Sequence, residues 1–260
     1  MAKKPLQSDV YIQHLYVYFN EAEQFALFSG MSFAHFLDAM KMPEHLLLLN
    51  HSYEDASFNM HTQLEFVSRE EYPLLRKWQL QKKAQLSWID FRSEKQVNAL
   101  TPLEQAELLY IGHKKEALRP PFYSTLQNEF VYLSTEEQQM TKVYFRRPER
   151  LHELIGNYFT MLARREATGL NIWRRKAKEL VPDIPEALLR SLTTDYQDGI
   201  LISLADPEKT KKTIELHVRT VGEVSFADEF WSEIEESTVL QVTKKITYDK
   251  KMDQWAAAGV

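Results

Sequence analysis

Apolar and polar positions change period along the chain, and each change marks an element. Residues 10–19 (VYIQHLYVYF) are β-branched and aromatic with almost no turn chemistry, which predicts a strand buried on both faces. Asn20 with Glu23 reads as a helix N-cap pair, and Phe33, Phe36, Leu37 and Met40 follow at helical spacing, so a helix stepped at Gly30 is expected over 21–41. Leu46–Leu49 reads as a short strand. Phe58, Met60, Thr62, Leu64 and Phe66 alternate with Asn59, His61, Gln63 and Glu65, the pattern of a strand with one apolar face and one wet face. Ser68 and Glu71 can cap a helix carrying Leu74, Leu75 and Trp78, and Leu86 to Phe91 reads as a further strand.

Beyond residue 100 the helix signals are sharper. Thr101-Pro102-Leu103-Glu104 combines a capping Thr, Pro at the first helical position and Glu at the third. Glu129–Leu133 and Thr141–Arg146 predict a hairpin. From Pro148, Leu151, Leu154, Ile155, Tyr158 and Leu162 form one apolar face of a helix that Gly169 ends. A shorter helix follows over 171–180 and a third from Asp183-Ile184-Pro185-Glu186 to Gly199. Strands are expected at 200–205 and 213–220, an acidic helix near 226–236 and a strand at 238–248.

This mixture assigns the chain to the α+β class. The order β-α-β-β-α-β over residues 10–91 resembles the ferredoxin-like plan, a fold that serves enzymes, regulators and RNA binders alike and so implies no function. We expect a first domain at 8–147, made of that core with a helix and hairpin appended, and a helical second domain at 148–260.

Composition narrows the function classes. With 44% hydrophobic and 27% charged residues, the chain has ordinary globular balance, and most of its Phe, Tyr and Trp are expected in the core. It has no Cys, which removes disulfides, thiolate metal sites and Cys nucleophiles. No apolar run follows Lys3-Lys4 as an export signal would, and the longest aliphatic run is Leu46–Leu49, so a cytoplasmic protein without a membrane span is expected. Seven scattered glycines form no phosphate-binding loop, and no familiar hydrolase, zinc-protease or kinase signature is present. No cofactor is expected, and the RNA-recognition pattern of a basic residue, Gly and two aromatics is not matched by Phe58–Val67. His45, His51 and His61 lie close in sequence, but their spacing does not make ligands converge, and no metal is assigned. The acidic run of Asp228, Glu229, Glu233, Glu235 and Glu236 surrounds Phe226, Phe230, Trp231 and Ile234 and reads as the solvated face of a helix.

Charge distribution is the feature that stands out. Residues 142–178 hold ten basic and three acidic side chains in a chain whose net charge is −5. Three helices followed by two strands over 148–220 resemble a winged helix-turn-helix, a family that implies DNA binding through the third helix or, in other members, protein interaction. The nucleic-acid candidates are Arg164, Arg165, Arg174, Arg175, Lys176, Lys178 and Arg190. The opposing expectation is that these arginines pair with acidic flanks inside the protein. The favoured function is a non-enzymatic regulatory or interaction protein, binding nucleic acid or another protein; an enzyme without a familiar motif is the alternative.

Overall fold

The computed structural model describes residues 14–40, 43–49, 53, 55–82, 86–112, 121–134, 140–168, 181–196, 200–205, 207–223, 229–236 and 241–259. The chain divides into two compact units, residues 1–40 with 149–260, and residues 41–148. Each mixes helices with antiparallel strands. No helix among the described residues is long and apolar enough to cross a membrane.

In the first unit, strands β1 (His14–Asn20) and β2 (Phe25–Ser29) form a hairpin. Strands β9 (Ile200–Ala205), β10 (Glu208–Lys209), β11 (Thr213–Glu223), β12 (Gln241–Asp249) and β13 (Gln254–Gly259) come from the far end of the chain. The order is β13-β12-β11-β9-β1-β2, with β10 on β11, and each of these pairs is antiparallel. Helices α1 (Phe33–Ala39), α5 (Pro148–Thr168), α6 (Glu186–Tyr196) and α7 (Phe230–Glu236) complete the unit.

The expected helix over 21–41 is corrected by this hairpin. Asn20 Oδ1 does accept the Glu23 amide at 2.9 Å, but the bond closes a turn, and Gln24 takes a left-handed φ of 57° that reverses the chain. Phe25–Ser29 is buried on both faces, so it shows no period that would mark it as a strand. Gly30 is obligatory at its position: φ is +91°, and a Cβ there would lie 2.1 Å from the His14 carbonyl oxygen. Only then does α1 begin, capped by the Ser32 hydroxyl, which accepts the His35 amide.

The apolar stripe of α5 is buried as its spacing predicts, with Leu151, Leu154, Ile155, Tyr158, Phe159 and Leu162 in the core. Ala163 joins Val181, Ile214 and Tyr248 in a cluster on which Trp255 packs, tying the helix to β11, β12 and β13. Each large side chain hidden this way stabilises the fold by about 1.5–3 kcal/mol. Asn157 donates to the Ala39 carbonyl at 2.7 Å and so fixes α5 to the end of α1. Phe230 and Ile234 of α7 are buried as expected.

The second unit orders its strands β8-β7-β6-β3-β5-β4, with β3 (His45–Leu48), β4 (Ser57–Phe58), β5 (Glu65–Ser68), β6 (Trp88–Phe91), β7 (Phe130–Ser134) and β8 (Thr141–Phe145), again antiparallel. A 3₁₀ turn at Arg69–Glu71 leads into α2 (Tyr72–Lys82), and α3 (Glu94–Asn98) and α4 (Pro102–Gly112) follow β6. Trp88 stacks on Tyr132 at 5.1 Å, and His45 stacks on Phe91 at 4.9 Å with Phe66 edge-on. The Ser68–Glu71 and Thr101–Glu104 caps form as read from sequence. The hairpin of β7 and β8 forms as well.

The alternating strand expected over 58–66 is replaced by a turn between β4 and β5. Asn59, expected on the wet face, is buried, and its Oδ1 accepts the His61 and Thr62 amides and the Thr62 hydroxyl. Phe58 and Met60 are 51% and 84% exposed while Leu64 is buried, so period-2 spacing here reports no common face. The ferredoxin-like neighbours expected for residues 10–91 also differ from those found. Strand β1 hydrogen-bonds β2 and β9, whereas β3 hydrogen-bonds β5 and β6. Residues 14–40 accordingly belong with the C-terminal segment and not with 41–148.

Candidate functional site: the groove between α5 and α6

The basic block was the strongest signal in the sequence, and four of its described members, Arg146, Arg147, Arg150 and Arg164, are engaged with carbonyls and carboxylates of the protein, as is Arg190 beyond it. Arg164 donates from Nε to the Val181 carbonyl at 2.9 Å and from Nη2 to Asp183 at 3.1 Å. Arg190 holds Glu186 one turn back on α6 through both Nε and Nη2. Arg150 pairs with Glu153 at 2.7 Å, Arg147 with Glu129 at 3.0 Å, and Arg146 donates to the Asn128 carbonyl with its guanidinium over Phe122. Arg165 is exposed on α5. Arg174, Arg175, Lys176 and Lys178 lie outside the described residues, as does the expected helix over 171–180. Arg164 and Arg190 thus pair with Asp183 and Glu186, both of which line one feature, the gap between α5 and the start of α6.

That gap is a groove of about 330 Å³. One wall is a second stripe of α5, formed by Glu149, His152, Glu153, Gly156, Asn157 and Thr160. These positions fall at i, i+3, i+4, i+7, i+8 and i+11, one helical face beside the buried apolar one. The other wall is Asp183, Ile184, Glu186 and Leu189, the loop and first turn of α6. Gly156 sets how closely the walls approach, because a Cβ there would come within 2.3 Å of the Leu189 side chain. Thr160 is buried and accepts the Ile184 amide at 3.3 Å, which pins the second wall to the first.

The groove thus has an apolar floor of Gly156, Ile184 and Leu189 and a rim of four carboxylates, three of which hold an arginine. Burial lowers the His152 imidazole below its ordinary value; Glu149 and Glu186 act against this, and the Arg190 charge acts with it. Of the four rim carboxylates, Glu149 is the one with no arginine partner among the ion pairs of the described residues. No group of three or more His, Cys, Asp or Glu among the described residues is placed to hold a metal ion. His45 is stacked in the aromatic core of the second unit and His61 is exposed on the turn after Asn59, while His51 lies outside the described residues.

A second buried ionisable group is Asp90 on β6. Its oxygens accept the amides of Glu129 and Phe130 at 2.9–3.1 Å, which joins β6 to the entry of β7. Burial pushes its carboxyl up to about 7, against the opposing effect of those backbone bonds. It is buried and its oxygens are taken up by these backbone amides, so it is a structural staple.

The polar stripe of α5 could have been read from its spacing; what no spacing announces is that Ile184 and Leu189 close against it. Compared with known proteins, the chain matches no family model, no curated protein and no solved structure.

Proposed function

We propose that this is a non-enzymatic interaction protein that uses the α5–α6 groove to take an extended protein segment carrying a basic side chain. The observation that carries this reading is the groove itself, an apolar floor rimmed by Glu149, Glu153, Asp183 and Glu186. Ligand-binding clefts combine apolar lining with a few placed polar groups in this way. Glu149 on the α5 wall supplies a carboxylate acceptor to an incoming ammonium or guanidinium.

The test is a titration of the full chain with a fluorescent Lys/Arg-containing peptide and, in parallel, with an acidic peptide of equal length. The basic peptide should bind at low salt, and Glu149→Lys with Glu153→Lys should weaken it at least tenfold. Equal binding of the acidic peptide, or no effect of the two substitutions, refutes the reading.

Nucleic-acid binding is the second reading, supported by the charge excess at 142–178 and above all by Arg174, Arg175, Lys176 and Lys178. The winged-helix resemblance goes with it, and here the pairings weigh against a free wing, since β9 and β11 are interior strands flanked by β1 and β12. If the reading holds, duplex DNA binds at low salt. Arg174→Gln with Arg175→Gln then flattens the log–log salt slope by about two contacts, at roughly 0.9 per phosphate. No binding of duplex DNA or single-stranded RNA at low salt removes it.

A further inference from the structure

Strand β13 lies at the end of the first unit's strand order, and among the described residues its hydrogen-bonded neighbour is β12. The two pair through six consecutive positions, from Asp249 with Gln254 to Lys244 with Gly259, without a shift of register. The strand is held firmly. Trp255 donates from its indole to the Pro182 carbonyl at 3.0 Å and rests on Tyr248. The turn before it is tied down by Tyr248, which donates to Asp253, and by Lys250, which donates to the Thr210 carbonyl.

Its outer edge carries none of the features by which sheet proteins discourage pairing with another strand. Such edges are normally short, charged, bulged or interrupted by proline. The outer strand of the other unit, β4, has one of these features, being two residues long. Strand β13 has six residues, QWAAAG, with no charge, no proline and no bulge, and Ala256, Ala257 and Ala258 are exposed. Among the described residues no strand pairs with this outer edge, which presents a row of backbone donors and acceptors.

We propose that β13 is a strand-pairing edge whose occupant is β13 of a second copy of this chain, antiparallel about a twofold axis at Ala257. A twofold contact must suit its own surface. Here Ala257 meets Ala257 of the copy and Ala256 meets Ala258, so no like charges are set opposite one another, a condition that a lysine or glutamate at position 257, or at both 256 and 258, would fail. A single six-residue strand pair covers less area than a stable interface needs, so the dimer is weak, with a dissociation constant in the micromolar to millimolar range. The inference is independent of the groove, which lies on α5 and α6.

Sedimentation equilibrium of the full chain from about 10 μM to about 1 mM tests it. A concentration-dependent monomer–dimer equilibrium is expected for the native chain. Ala256→Lys with Ala258→Lys should abolish it with the circular dichroism spectrum unchanged, and Ala256→Ser with Ala258→Ser should retain it. Because the chain has no Cys, Ala257→Cys adds a single thiol, which should form a disulfide-linked dimer on mild oxidation, while Gln254→Cys should not. A native chain that stays monomeric throughout overturns the proposal, as does a dimer that survives the lysine pair. Should the lysine variant fail to fold, the two Cys variants decide: equal cross-linking of both, or none at position 257, overturns it.

Discussion

Replacing Asp90 by Asn isolates a single buried proton. In the native fold the Asp90 carboxyl rises from 3.8 to about 7 because it is withdrawn from water. A carboxyl whose value is raised on folding binds its proton more tightly in the native state than in the unfolded chain. Its contribution to stability is therefore complete below pH 4 and is lost as the pH climbs to about 7. At 1.36 kcal/mol per unit, that loss is of order 4 kcal/mol. Asn cannot ionise, and it keeps one oxygen to accept the Glu129 or Phe130 amide, so Asp90→Asn should resemble the protonated native protein at every pH. Urea denaturation of both proteins between pH 4 and pH 8, with hydrogen exchange at the β6 and β7 amides to localise the change, gives the difference directly. The two should have similar stability near pH 4, and the variant should be the more stable at pH 8. A variant that loses stability at pH 8, with the native protein showing no decline above pH 4, would show that the backbone bonds keep the carboxylate charged, and the reasoning would fail.

Two further predictions concern packing and the backbone. Phe66 is buried against the rings of His45 and Phe91, and Phe66→Ala should cost about 3–5 kcal/mol in chemical denaturation; an unchanged midpoint would show that the ring is not in the core. Gln63 holds a left-handed φ of 59° in the turn between β4 and β5, so Gln63→Gly should raise stability by roughly 0.5–1 kcal/mol in the same assay, whereas a loss would mean that the Gln side chain stabilises the turn.

What the amino-acid sequence determined by itself was local. The Ser68–Glu71 and Thr101–Glu104 caps, the apolar stripe of α5 and the β7–β8 hairpin rest on residues a few positions apart, so their spacing is enough to specify them. Asn20 and Glu23 show where that sufficiency ends, since the same side-chain-to-amide bond starts a helix or closes a hairpin. Burial on both faces left Phe25–Ser29 without a period, and β13 is a run of small residues with only Trp255 to mark a face. Tertiary structure decided these cases. Pairing of β1 with β9, some 185 residues further along, placed residues 14–40 with the C-terminal segment, and the Asx turn at Asn59 exposed Phe58 in a stretch whose alternation promised a strand. The groove depends likewise on Leu189 meeting Gly156 across two helices. Periodicity reports which face of an element is apolar; which surface covers that face is settled by contacts between residues far apart in the chain, and those leave no mark in local spacing.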